Sequence, residues 1–303
     1  IGASISSPGE GATYAIRDLS GTLTTINTNG YITAGGSGED IVVAIDLSAN
    51  TSGVTINQYT PPDETDSLEA TITTQITGAI LTGSGDDLIT VSDGQIKGNT
   101  SLGAGNDRVA LSGDAIYQGK VDFGSGIGTL TLADTSQFIG TAAFNDLAGT
   151  ITLSGTALYS GTVTGGANLA VTVNGGTLYA SGTSDVAFQT LNVASGGTIK
   201  VAIDGETHTN PKFVVGTATF ADGAHVAASI SMLSEAEGSY VVLTAGQITG
   251  TPSFSSDETD LPFLFKGAVT VDQSAGEVIL DIERKTASEL GLTRSQAAAY
   301  SAI

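Results

Sequence analysis

LITVSDGQIKGNTSLGAGNDRVALSGDAIYQGKVDFGSGIGTLTL, residues 88–132, sets two apolar residues two positions apart three times over: Ile89/Val91, Val109/Leu111 and Leu130/Leu132. Beyond it the pair returns as Ile151/Leu153, Val171/Val173 and Leu191/Val193, so the successive steps are 20, 21, 21, 20 and 20 residues. Residues two apart on a strand point to the same face. A fixed period near this length describes a stack of similar coils, each too small to bury its own apolar face and covered by its neighbours.

Two further columns extend the pattern. Ile96, Ile116, Phe138, Leu158, Leu178 and Ile199 step by 20, 22, 20, 20 and 21, and Leu102, Phe123 and Phe144 are each 21 apart. Three strands per coil, each sending a side chain inward, predict an all-β chain: a right-handed three-stranded parallel β-helix with a C-terminal cap and a short helical tail. A leucine-rich repeat has a similar period but needs several Leu and an Asn per repeat, which this chain lacks. Nine-residue Gly/Asp repeats would give a narrower, two-sheet roll. With parallel coils about 4.8 Å apart, six regular coils rise by roughly 30 Å.

Composition fits this reading. The chain has 303 residues, 41 of them Gly and 6 Pro. Thr, Val and Ile suit pleated strands, and Gly suits tight corners. The period divides the chain. Residues 1–80 form irregular N-terminal coils, with Leu23, Ile26 and Ile32 in one and Val42, Ile45, Val54 and Ile56 in another; YTPPDETDSLE (59–69) reads as an exposed loop. Residues 81–203 are the regular stack. Residues 204–285 form a C-terminal module that opens on DGETHTNPK (204–212), and residues 286–303 are Ala-rich and helical, broken near Gly291. Thr293 to Gln296 has the spacing of a capping box.

Net charge is −21. Such a surface repels nucleic acid and anionic membranes and keeps a long rod soluble. No run approaches twenty apolar residues, so no membrane-spanning segment is expected. No basic and apolar leader opens the chain at Ile1, which suits a signal peptide already removed or a start inside a larger protein. Cysteine is absent, which suits a chain that crosses a narrow pore unfolded.

The C-terminal hundred residues carry a family resemblance. Gly238, Tyr240 and Leu243 lie on one expected strand, Leu280, Ile282, Arg284 and Lys285 on another, and Leu290, Gly291, Ala298 and Tyr300 in the linker that follows. This resembles the C-terminal, autochaperone region of pertactin-like autotransporter (type V secretion) passenger domains. The resemblance implies secretion through the outer membrane of a Gram-negative bacterium and a cell-surface or extracellular location, anchored by the chain's own outer-membrane β-barrel beyond this segment. It also implies that the C-terminal region nucleates folding. The aromatic residues Phe213, Phe220, Tyr240, Phe254, Phe263 and Phe265 are expected to build that stable end.

Three Gly-rich corners end in Asp: Gly35 to Asp40, Gly83 to Asp87 and Gly103 to Asp107, while Gly124 to Gly128 has lost the acid. They resemble the calcium-binding nonapeptide of RTX proteins, and Asp40, Asp87 and Asp107 are the candidate calcium ligands. Calcium needs six or more oxygens, however, and here the motif recurs once per coil rather than every nine residues. The plainer reading is a corner Asp bonded to backbone. A second acidic column, Asp93, Asp114 and Asp134, reads as solvated turn residues.

Residues after the second inward position, Tyr117, Ile139, Tyr159, Tyr179 and Lys200, are expected outward by alternation. They would form a contact stripe for a host or cell-surface protein, a glycan or another copy of the chain, or a ladder that only stabilises the sheet. Catalysis has little basis. The two histidines are His208 and His225; His208 shares a polar loop with Asp204 and Glu206, and no Gly-Asp-Ser-Gly nucleophile motif accompanies it. The expected function is a non-enzymatic surface stalk or adhesin. A self-assembling, calcium-dependent surface-layer or matrix protein and a polysaccharide-degrading β-helix enzyme are the alternatives.

Overall fold

The computed structural model describes residues 3–6, 13–35, 42–60, 74–232, 235–256, 261 and 263–300. Among them the chain is all-β apart from one short helix, Arg294–Tyr300. Long stacks of parallel strands dominate, and three ladders of backbone pairing run along them.

The first ladder carries the decisive pairs. Ile89, Val109, Leu130, Ile151, Val171 and Leu191 are register partners in succession. The ladder continues past the regular region, down to Ile56 and Ile26 and up to Ala218 and Ile248. All ten side chains are buried. Each large aliphatic member contributes roughly 1.5–3 kcal/mol by leaving water, but only because the rungs above and below complete its cover. The outer rungs are longer: 30 residues separate Asn27 from its partner Asn57 and 27 separate Asp185 from Lys212, against 20 between Asp87 and Asp107. The ladder itself stays in register across these longer rungs.

The second ladder corrects the expected column. Its inward members are Ile32, Ile76, Ile96, Tyr117, Phe138, Tyr159, Leu178, Ile199, Val226 and Phe254. Ile116 and Leu158, expected inward, pair with the two glutamine-bearing positions Gln95 and Gln137 and face out. The cause is the corner between the ladders. It is one residue longer from Leu111 to Tyr117 than from Val91 to Ile96, and one residue more reverses the alternation of a strand.

The third ladder joins Ile16, Ile45, Ile80, Thr100, Val121, Ala142 and Val163. A glycine row stands where the second ladder turns into the third: Gly98, Gly119, Gly140 and Gly161. Their φ values of +147° to +153° favour glycine, and a β-carbon on any of Gly119, Gly140 or Gly161 would strike the carbonyl oxygen of the glycine one rung away. Leu102, Phe123 and Phe144 fill the following corner as expected, and the rings of Phe123 and Phe144 stack with centroids 4.8 Å apart.

At the C-terminal end the pairing changes sense. Gly238–Thr249 pairs antiparallel with Glu277–Arg284, which pairs antiparallel with Phe265–Asp272. Tyr240 lies opposite Leu280 and Gly238 opposite Ile282. Val278, Leu280 and Ile282 are buried under this small sheet, which closes the edge a parallel stack leaves open. Phe213, Phe220, Tyr240 and Phe265 are buried as expected, and Phe254 packs on the core. Phe263 departs from expectation: it is 74 % exposed, with the Lys285 ammonium 4.7 Å from its ring centroid. The backbone N–H and hydroxyl of Thr293 both donate to the Gln296 side chain and start the helix, one half of a capping box.

Candidate functional site

The features singled out in the sequence fall on two corners and one outward face of the same few rungs. Asp40 lies outside the described residues. Asp87 and Asp107 close one corner from the inside. Each is almost fully buried, and each turns its Oδ1 toward the rung before it: Asp87 accepts the Val54 N–H at 2.8 Å, and Asp107 accepts the Asp87 N–H at 2.9 Å. The Oδ2 atoms of both are buried without a hydrogen-bond partner. The Thr82 hydroxyl beside Asp87 donates to the Leu102 carbonyl at 2.9 Å. Burial pushes both carboxyls up, Asp107 to about 7, because a carboxylate loses its hydration there.

The next residue up this column is Gly128, then Gly149. A β-carbon on Gly128 would lie 2.6 Å from the Phe123 ring, and one on Gly149 would collide with the Phe144 ring. The corner thus has two fillings: an inward carboxyl with Thr82 or Leu102, and an aromatic ring with glycine. The sequence motif records the glycines of both and the acid of one.

Calcium fits the first filling poorly. One oxygen of each carboxyl is taken up by a backbone N–H, and the neighbouring acid, Asp86, uses Oδ1 to accept the Asn106 N–H at 2.8 Å. Among the described residues no group of three or more His, Cys, Asp or Glu side chains converges as a metal ligand set. Each of the three acids bonds backbone through one oxygen.

Asp93, Asp114 and Asp134 line the other corner of the same rungs. Asp93 accepts the Gly94 N–H at 2.6 Å, and Asp134 accepts the Gly113 N–H at 2.9 Å from a left-handed backbone, φ +59°. The carboxyl of Asp93 nearby raises Asp114, while the neighbouring Thr60 and Asp114 lower Asp93.

Two members of the expected outward stripe are inside. Tyr117 and Tyr159 have no exposed surface. Their rings sandwich Phe138, with centroid spacings of 5.1 and 5.0 Å and planes within 15°. The Tyr117 hydroxyl donates to Thr100 Oγ1 at 2.8 Å and the Tyr159 hydroxyl to the Thr162 carbonyl at 2.6 Å. Burial raises the pKa of both phenols. Phenol oxygens reach the polar corner while the rings stay in the core, which is how a buried Tyr is satisfied. Ile139 and Tyr179 do face outward, Ile139 at 37 % exposure and Tyr179 half-buried with the Lys200 ammonium 5.6 Å from its ring centroid. With Ile116 and Leu158 they make an apolar zigzag over successive rungs, among Gln118, Gln137 and Ser160. The residue missed in sequence was the extra one in the corner before Tyr117, for which only the uneven spacing of 22 was a signal.

The loop at 204–212 builds no catalytic constellation. The His208 ring stacks on Tyr240 with its Nδ1 3.3 Å from the phenol oxygen, and Asp204 accepts the Glu206 N–H. A cavity of about 380 Å³ beside it is lined by Ser181, Thr183, Ile203, Asp204, Asn210 and Ser231. Asn210 donates both to its neighbour's carbonyl and to Val241, and Ser231 donates to Ile203, so these groups hold the loop. No helix among the described residues is long and apolar enough to cross a membrane.

No protein-family model matches the chain, and no curated protein matches it.

Proposed function

We propose that this chain is a non-enzymatic surface rod: a right-handed, three-stranded parallel β-helix of the autotransporter-passenger kind, whose C-terminal end nucleates folding. One observation carries the reading. The parallel stack has an antiparallel closing sheet at its C-terminal end, built from the residues that carry the family resemblance, Gly238, Tyr240, Leu280 and Ile282. A stack that grows rung on rung needs a first rung stable without a neighbour. The sheet of Gly238–Thr249, Phe265–Asp272 and Glu277–Arg284 supplies that by pairing within itself. The rod would stand on its own outer-membrane barrel and present the Ile116–Tyr179 zigzag to a surface protein, a glycan or a second copy.

Refolding kinetics test the nucleus. Leu280→Ala and Ile56→Ala remove comparable buried side chains, each worth about 2–5 kcal/mol. Leu280→Ala should slow refolding of the whole chain in proportion to its destabilisation, and Ile56→Ala should mainly speed unfolding. The reverse pattern would remove the nucleus from the C-terminal end. Protease added to intact cells that make the protein should degrade it; full protection would place it inside the envelope and sink the surface reading.

A further inference from the structure

The third ladder is shorter than the other two, and its end leaves room on one side of the stack. Its last register pair is Ala143 with Thr164. In the rungs that follow, the chain crosses that side in turns: residues 181–185 run between Ala180 and Val186, and residues 205–212 run between Asp204 and Phe213. The cavity of about 380 Å³ lies between these two turns. Ala202 and Ser229, register partners on neighbouring rungs, face outward and form its floor. Both are small, which gives the cavity its depth.

The hydrogen bonds that hold the 204–212 loop also fix the polar groups around the cavity. Asp204 Oδ1 accepts the Glu206 N–H at 3.0 Å and the Thr207 N–H at 3.4 Å. The Asp204 and Thr209 backbones exchange hydrogen bonds at 2.9 and 3.3 Å. Asn210 donates through Nδ2 to the Pro211 and Val241 carbonyls, each at 2.9 Å. These bonds leave Asp204 Oδ2 and Asn210 Oδ1 as acceptors for a ligand. The Thr183 and Ser229 hydroxyls complete the set, each able to donate or accept.

That set rules out most ligand classes. Asp204 is the one charged residue of the lining. An anion would meet its carboxylate with no cationic side chain to offset it, on a chain of net charge −21. An apolar ligand would take water from four hydrogen-bonding groups and replace none of those bonds. A neutral ligand dense in hydroxyl groups donates to the two acceptors and exchanges hydrogen bonds with the two hydroxyls. The volume falls within the roughly 300–1,000 Å³ of small-ligand pockets.

We infer that this cavity is a binding site for a neutral saccharide, held by Asp204, Asn210, Thr183 and Ser229. The site lies past the last member of the outward zigzag, Tyr179, and does not depend on the rod standing on a cell.

The test is titration of the purified whole chain, followed by NMR, with neutral disaccharides (lactose, maltose, cellobiose and diacetylchitobiose). Sialyllactose, a heparin disaccharide and lysine methyl ester are the charged probes. At least one neutral disaccharide should bind, and the anionic probes should not. Asp204→Asn keeps the Oδ1 acceptor for the loop and turns the other oxygen into a donor, so affinity should fall roughly tenfold or more. Ser229→Leu fills the floor and should abolish binding; Thr183→Leu, in an exposed turn, carries the test if that variant does not fold. Ile139→Ser, on the zigzag, should bind as wild type does. No response to any neutral disaccharide at about 10 mM would overturn the site. So would disaccharide binding that survives the cavity variants or is lost in Ile139→Ser, because the sugar would then sit elsewhere. Tighter binding of lysine methyl ester than of any sugar would also overturn it, in favour of a basic side chain from a partner.

Discussion

Asp107 and Gly128 occupy the same corner one rung apart, and they close it by opposite means. At Asp107 the corner is polar inside: a carboxyl accepts a backbone N–H, and Leu102 supplies modest apolar bulk. At Gly128 the corner is aromatic: Phe123 stacks on Phe144, and the glycines make room for the rings. The backbone registers through both without a break. A parallel stack therefore fixes the path of its corners and leaves their filling open. A hydrogen bond and a ring are interchangeable there if the neighbouring residue changes size to match.

The comparison can be broken most severely on the aromatic side. Phe144→Ala should cost about 3–5 kcal/mol, because the Phe123 ring loses its partner and the rungs cannot collapse into the space; chemical denaturation measures it. A cost near zero would mean that the ring is not what seals this corner. Gly128→Ala should cost about 1–3 kcal/mol by overpacking against Phe123, and Phe123→Leu in the same chain should recover part of that loss, since the two fillings are coupled. The smallest effect belongs outside. Ile139→Ser on the outward zigzag should change stability by no more than about 0.5 kcal/mol, and a surface plasmon or cell-adhesion assay would then read any loss of binding free of folding effects.

The fold was legible where two signals repeated together. The pairs at Ile89/Val91 and their successors name both inward positions of a strand, so a slip of one residue would have been seen. The second column offered a single apolar residue per rung. Ile116 stands next to Tyr117 and Leu158 next to Tyr159, and hydropathy alone favours the aliphatic neighbour as the inward one. The structure places the tyrosines inside because their hydroxyls can reach the corner carbonyls and the Thr100 hydroxyl while their rings stack on Phe138. No single-residue hydropathy scale carries that information. The acids show the same limit. The motif marks the corner, yet whether Asp87 points in or out depends on what fills the space behind it, and that is set by Thr82 and Leu102 at the start of the same corner. The antiparallel closing sheet was foreshadowed only as a cap, through the resemblance of Gly238, Tyr240, Leu280 and Ile282 to a known kind of chain end.

The glycine row at Gly98, Gly119, Gly140 and Gly161 sets a rule for how such a molecule can change length. Inserting or deleting one amino acid in the strands that flank these glycines would bring a bulkier neighbour to the point where only a hydrogen fits. Duplicating a whole turn would bring another glycine there. Along this part of the chain, then, heritable length variation should come in quanta of one complete circuit or be absorbed at a corner, as the extra residue between Leu111 and Tyr117 is.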